Sequence, residues 1–450
     1  MQVNRRRFLG TATSMLAGHA LCHAAPVDKA QPAETLGPDL KTVTVDVDSG
    51  DALQRVLHQH AGTGHCVRIG RVSELTCAVR EELVGTEKSI HPLLFPQGVR
   101  LDLNGSTLRL DLRSNSYGVR LASDSAIRNG TIRVVHSAGK GSQACWHSGI
   151  SVGAAYGDGG TPDKPGAFST VTGWAIENMT IDQPFAAAAI QLMSEACHGL
   201  IKDVRVLSSD KALLGIGLDW GSVGPITTAD AEIPRMRRLW EQGEIYSTHP
   251  HDIVIENVRV GHLLRNVDGN DAGVRCSACH RITISNVEVQ TAATAVAIFG
   301  GDCGYEFARP DQRDAQHAGY VIDGIRIDKA LRYGIVLNGS ADNIWRARRD
   351  LGYDSVRDPV HPGLDKPTIR NVVLRGQGTP GAQGIYAVAL SGATLEQVDI
   401  GGFEIGVHVE DWVQGMHFRN YAFAENAQNA RIEGATEPAQ GVVFDPPLPS

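Results

Sequence analysis

No apolar run in this chain approaches the roughly 18 residues a helix needs to cross a bilayer, so no membrane insertion is expected. No basic tract marks nucleic acid as a partner, because the 42 Lys+Arg and 50 Asp+Glu are spread almost evenly. Aromatic residues make up only 6% of the 450 residues, whereas glycine contributes 50. That balance suits many short strands joined by turns, not long helices. The Leu-x-x-Leu-x-Leu frame of a leucine-rich horseshoe is missing. So are the closely spaced Asn-Gly turns that a string of antiparallel hairpins would need.

Near the N-terminus, Asn4-Arg5-Arg6-Arg7-Phe8-Leu9-Gly10 precedes a mildly apolar stretch and small residues at Ala24 and Ala25. This pattern resembles a twin-arginine export signal over residues 1–25, followed by a linker over 26–40. It implies passage through the Tat translocase and a periplasmic or secreted bacterial protein. Removing the three arginines takes the formal charge from −8 to −11. Of eight cysteines, Cys22 leaves with the signal and seven remain, an odd number for an oxidising compartment. Cys66 and Cys77 are spaced to bridge a short loop. Cys276-Ser277-Ala278-Cys279 lacks a second pair at metal spacing and reads as buried structural thiols.

What is abundant is a repeated phrase: an apolar residue, any residue, Asn or a stand-in, then an apolar strand. It occurs at Ile127-Arg128-Asn129, Ile176-Glu177-Asn178, Ile201-Lys202-Asp203, Ile255-Glu256-Asn257 and Ile284-Ser285-Asn286. It continues at Ile322-Asp323-Gly324, Ile369-Arg370-Asn371, Leu395-Glu396-Gln397 and Phe418-Arg419-Asn420, with a looser copy ending at Asn104. The ladder positions lie 25, 49, 25, 54, 29, 38, 47, 26 and 23 residues apart. A step near 25 with insertions marks a solenoid. A second phrase, Gly-apolar-x-apolar, precedes each pair of strands, as in Gly215-Ile216-Gly217-Leu218-Asp219 and Gly273-Val274-Arg275-Cys276. Three strands per turn in fixed order predict an all-β fold: a parallel coil of three sheets over residues 41–430, with 431–450 as a tail. Residues 51–57 read as a short amphipathic capping helix.

On these phrases, and on the entry segment Leu94 to Gly105, the chain resembles the pectin lyase-like superfamily of right-handed parallel β-helices over roughly residues 40 to 430. The resemblance implies enzymes acting on polysaccharides as hydrolases, lyases or epimerases, although the group also contains non-catalytic adhesins and tailspikes. Asn266-Val267-Asp268 only approximates the Asn-Thr-Asp element of the polygalacturonase-like hydrolases. Their adjacent aspartates, Gly-His-Gly and Arg-Ile-Lys are absent, so their catalytic set is not transferred.

The long spacings place insertions at 154–172, 222–250, 302–318 and 341–367, all between the first and second strands of a coil. Such loops would wall one side of a groove whose floor is the first sheet. Alternation points Arg120, Ser151, Gln191, Gly217, Arg275, Ala297, Val336 and His408 outward in one column, and Met193, Asp219, Ser277, Phe299, Asn338 and Glu410 in the next. Hydrolysis needs two carboxyl groups, expected here as Asp219 with Asp271 or Asp302. Gly217 would leave room for the ligand. Elimination or epimerisation at a uronate needs instead a neutraliser and a base, for which Arg275, His249, His251 and Tyr305 are candidates. Hydrolysis is the favoured expectation, with a non-catalytic carbohydrate-binding or structural β-helix as the alternative of another class. Catalytic candidates are therefore Asp219, Asp271, Arg275, Asp302 and His249. Gln191, Trp220, His251, Asp268, Phe299, Tyr305 and Asn338 are expected to bind a polysaccharide or oligosaccharide. No cofactor is needed for hydrolysis, whereas a lyase could use Ca²⁺ held by the aspartates. The spacing of His249-Pro250-His251 lacks the further ligands a zinc site needs, so no metal-binding residues are expected.

Overall fold

A computed structural model describes residues 41–78, 92–112, 117–136, 148–153, 170–182, 188–193, 196–219, 242, 249–265, 271–300, 318–339, 364–434 and 439–448. The expected signal and linker fall outside this set. The described chain is a right-handed parallel β-helix: strand Thr42–Val45, one helix, Gly50–Gln59, and then further strands, all pairing only in parallel with their counterparts one coil away. The helix starts where expected. Ser49 caps it by accepting from the Ala52 N–H at 3.2 Å, and Leu53 and Leu57 are fully buried on the end of the core.

The repeated phrases define the coils in register. Ile127, Ile176, Ile201, Ile255, Ile284, Ile322, Ile369, Leu395 and Phe418 stack as one column of lateral partners, and every one is buried. In the first sheet Ile190, Leu192, Ile216, Leu218, Val274, Cys276, Val296 and Ile298 turn inward and complete the core. The glycine that opens the first-strand phrase has a steric cause. A Cβ on Gly215 would stand 2.5 Å from the Gly273 carbonyl oxygen, and one on Gly273 would stand 2.8 Å from that of Ala295. Adjacent coils approach too closely there for any side chain.

The Asn corner is a left-handed corner. Asn129, Asn178, Asp203, Asn257, Asn286, Asn371, Gln397 and Asn420 have φ of 60°, 49°, 55°, 55°, 52°, 56°, 56° and 52°, with Gly324 at 73°. Side chains tie successive coils together: Asn178 donates to Asn129 at 2.9 Å, Asn257 to Asp203 at 3.0 Å and Asn286 to Asn257 at 3.2 Å. A second ladder, absent from the sequence reading, lies five residues earlier in each of nine coils, at Asp124, Gly173, His198, Asp252, Arg281, Gly319, Lys366, Gly392 and Gly415. Each second-sheet strand is thus a short extended run held between two left-handed residues.

Two expectations are corrected. The coil does not end at residue 430: strand Gln428–Ile432 pairs with Ile405–Val409, and Val443–Asp445 pairs with His417–Arg419. Phe418 and Phe444 stack there at 4.5 Å, which closes the C-terminal end of the core with aromatic rings. Cys66 and Cys77 do not bridge; both are buried thiols on different strands. Burial, helped by the charge of Asp51, pushes the Cys77 thiol up to about 12. Burial likewise raises Cys279 well above the ordinary thiol range, with Cys276 beside it, so Cys279 is poorly suited to thiolate chemistry.

Two predictions follow from the corners. Asn257→Gly keeps the left-handed backbone and loses the ladder bonds, costing about 1 kcal/mol. Asn257→Val adds about 1–2 kcal/mol of backbone strain, so the denaturation midpoint should fall in the order wild type, Gly, Val. Asp102 is buried between Arg68 at 3.1 Å and Arg128 at 3.4 Å and accepts from the Asn104 N–H at 2.9 Å. Burial pushes its carboxyl up, but the Asn104 and Asn129 hydrogen bonds and the two guanidinium groups outweigh this and hold it below the usual range. A depressed folded value stabilises above the unfolded pKa of about 3.9 and is lost as pH falls through the folded value. The stability gap between wild type and Asp102→Asn should therefore be full at pH 7 and shrink below about pH 4.

Candidate functional site

The outward face of the first sheet follows the expected columns. Arg120, Ser151, Gln191, Gly217, Arg275, Ala297, Val336, Tyr386, His408 and Arg431 are successive lateral partners. The next column pairs Met193 with Asp219, and Ser277 with Phe299 and Asn338. All four long insertions leave at the C-terminal end of this sheet, after Gly153, Asp219, Gly300 and Gly339, and the chain returns at the second-sheet corner. The insertions themselves lie outside the described residues, and with them Trp220, Asp268, Asp302 and Tyr305.

Asp219 and Arg275, expected in neighbouring outward columns, form an ion pair with Nη2 to Oδ2 at 3.5 Å, each side chain 18% exposed. Two other expectations around them fail. Asp271 is fully buried at the opposite end of the strand Ala272–Ser277. Asp219 stands level with Ser277, so six residues at about 3.3 Å each separate the two backbone positions by roughly 20 Å, more than two aspartate side chains can bridge. That is far beyond either hydrolytic spacing. The space above Gly217 is not open either. A Cβ there would stand 2.8 Å from Gln191 Oε1 and 2.9 Å from Leu214 Cδ1, so the buried Gln191 lies across it.

Among the described residues of this face, an opening lies one coil further along. A cavity of about 240 Å³ is lined by Ala297, Phe299, Tyr333, Asn338, Tyr386 and Arg332, among others. It contains the predicted Phe299 and Asn338, and it adjoins Arg275 through the Ala297 partner position. Tyr333 and Tyr386 lie 5.4 Å apart, and the Arg332 guanidinium sits 5.0 Å over the Tyr333 ring. Tyr386 donates to Glu410 at 2.7 Å, and His408 stands 3.0 Å from Glu433. Tyr386 was visible in the sequence as the middle residue of Ile385-Tyr386-Ala387, at an outward position. Tyr333 precedes the first-strand glycine, where alternation gave no signal.

A second group occupies the corner that follows the first sheet. His249 and His251 return the chain from the longest insertion, and His251 is the lateral partner of both Cys197 and His280. His251 stacks on His280 at 5.1 Å with a 7° interplanar angle, while His249 and His280 lie 5.7 Å apart. Arg281 donates to both oxygens of Asp252 at 2.7 Å, and His251 Nδ1 lies 2.7 Å from Asp252 Oδ2. Burial pushes the Asp252 carboxyl up, but these partners hold it far below the usual range. Sequence reasoning reached His249 and His251 and missed Cys197, His198, Asp252, His280 and Arg281. Their common signal is the second left-handed ladder.

No protein-family model matches this sequence, and no curated protein matches it. Solved structures with similar chains include the A-module of the Azotobacter vinelandii mannuronan C-5 epimerase AlgE6. It is 13% identical with a TM-score of 0.37 over 89% of this chain and 96% of that one. The Streptococcus pneumoniae surface adhesin PfbA is 11% identical, with a TM-score of 0.46 over 88% and 93%. A GH87 α-1,3-glucanase catalytic domain in complex with tetrasaccharides is 14% identical, with a TM-score of 0.45 over 90% and 66%.

Proposed function

We propose that the protein is a carbohydrate-active enzyme that cleaves glycosidic bonds in a polysaccharide or oligosaccharide lying across the coils on the first sheet. The reading is carried by the cavity, whose aromatic rings, amide and guanidinium suit a sugar unit, next to the Asp219–Arg275 pair. Export by the twin-arginine signal would deliver the enzyme to the periplasm or the medium, where such polymers occur.

Hydrolysis is the favoured chemistry, with Asp219 as one carboxylate. An ion-paired carboxylate suits the base or nucleophile better than the proton donor. Asp271 is too distant to be its partner, which leaves Asp302, three residues beyond Phe299 in the sequence. In an inverting reaction Asp219 takes a proton from water as the water oxygen attacks the anomeric carbon. The acid protonates the departing glycosidic oxygen. The second reading is elimination or epimerisation at a uronate, favoured by the Arg332 guanidinium that lines the cavity and by Arg275, the lateral partner of Ala297 in its lining. There the guanidinium neutralises the uronate carboxylate while a nearby imidazole or phenol removes the adjacent proton.

Incubation with a panel of neutral and acidic polysaccharides separates the readings. New reducing ends without absorbance near 235 nm are expected. Products absorbing there would replace hydrolysis with elimination, and a change in uronate stereochemistry alone would replace it with epimerisation. Binding without any product would remove the enzyme reading. Asp219→Asn should lower turnover at least about 100-fold with an unchanged circular dichroism spectrum; near wild-type turnover would refute the site.

A further inference from the structure

We propose that Cys197, His198 and His251 form a binding site for a divalent transition metal of the zinc class. One ligand atom from each residue lies within 4.8 Å of the other two, a separation that small side-chain rotations can close around a single ion. The donors are one sulfur and two imidazole nitrogens, the set that favours zinc and its neighbours over oxygen-seeking calcium or magnesium. His249-Pro250-His251 offers too few ligands in its own segment. The fold supplies the rest from the preceding coil, because Cys197 and His251 are lateral partners on adjacent parallel strands.

Two further observations point the same way. His251 is oriented by a carboxylate: its Nδ1 stands 2.7 Å from Asp252 Oδ2, and Asp252 is itself clamped by Arg281. A carboxylate on the far side of a ligating imidazole fixes ring orientation and raises ligand basicity in metal centres. His198 also adopts φ of 48° at a ladder position where the preceding coil uses Gly173. A left-handed non-glycine residue costs about 1–2 kcal/mol. Here it sets an imidazole beside that of His251, with ring centroids 5.6 Å apart and nearly perpendicular. Three protein donors leave a fourth position for water or a sugar hydroxyl.

The other compact group, His408, Glu410 and Glu433, is oxygen-rich, with half-exposed acids already engaged by Tyr386 and Arg431. It serves as the internal control.

The test uses the folded protein, dialysed against a chelator and titrated with Zn²⁺ and then Co²⁺. One equivalent should bind with a Kd below about 1 µM, and the Co²⁺ form should show the near-ultraviolet thiolate charge-transfer band. Cys197→Ser should remove that band. His198→Asn keeps a residue that tolerates the left-handed backbone and should weaken binding at least about tenfold. Glu433→Gln should change nothing. Any of three results would overturn the proposal: no binding tighter than about 10 µM, a Co²⁺ complex without the thiolate band, or affinity lost in Glu433→Gln and kept in His198→Asn. If Cys197→Ser fails to fold, the spectrum of the wild type and the affinity of His198→Asn still decide. None of these readouts measures turnover, so the result stands apart from the proposed hydrolysis.

Discussion

Two left-handed residues, five positions apart in nine coils, govern the rest of this structure. Between them a strand can place only a few side chains, alternately inward and outward, so the buried isoleucine column and the turn chemistry are set together. Left-handed backbone is disfavoured for most side chains. The chain meets this by placing Asn, Asp and Gly at most such positions and by linking them across coils through side-chain hydrogen bonds. Parallel pairing then propagates the same register from coil to coil, which is why a few repeated phrases can organise so long a domain.

The two ladders are not chemically equivalent. The Asn ladder is mostly asparagine, broken only by Asp203, Gly324 and Gln397, and lies away from the first-sheet groove. The earlier ladder borders that groove, and in the middle of the stack it exchanges glycine for His198, Asp252 and Arg281. That exchange sacrifices backbone ease for a dense polar cluster held by short bonds between Arg281 and Asp252. Strain retained where simpler residues serve neighbouring coils points to function. The ion pair Asp219–Arg275 ends the same sheet on the same coils, so groove and corner meet in one region.

Much of this was legible in the sequence because periodicity survives insertions. The Ile-x-Asn phrase located the core column, and alternation placed Arg275, Asp219, Phe299 and Asn338 on the outward face in register. Two failures have physical causes. Coil spacing brings Asp271 and Asp219 near each other, but strand length along the sheet sets them at opposite ends. Gly217 has no side chain of its own, but in a stacked sheet a neighbouring long side chain, Gln191, fills the space. The Cys197–His251 pairing was hidden because its members are far apart in sequence and meet only through lateral register. The second ladder could have revealed it, since its five-residue offset from the Asn ladder repeats throughout the chain.

A sugar chain lying along the first sheet as proposed would place one unit in the Tyr333–Tyr386 cavity and the next beside Arg275 and Asp219. A crystal structure of the Asp219→Asn protein with a bound oligosaccharide tests it most directly. The account predicts sugar density against Tyr333, Phe299 and Tyr386, continuing toward Arg275. An oligosaccharide seated on another sheet, with this cavity empty, would contradict it.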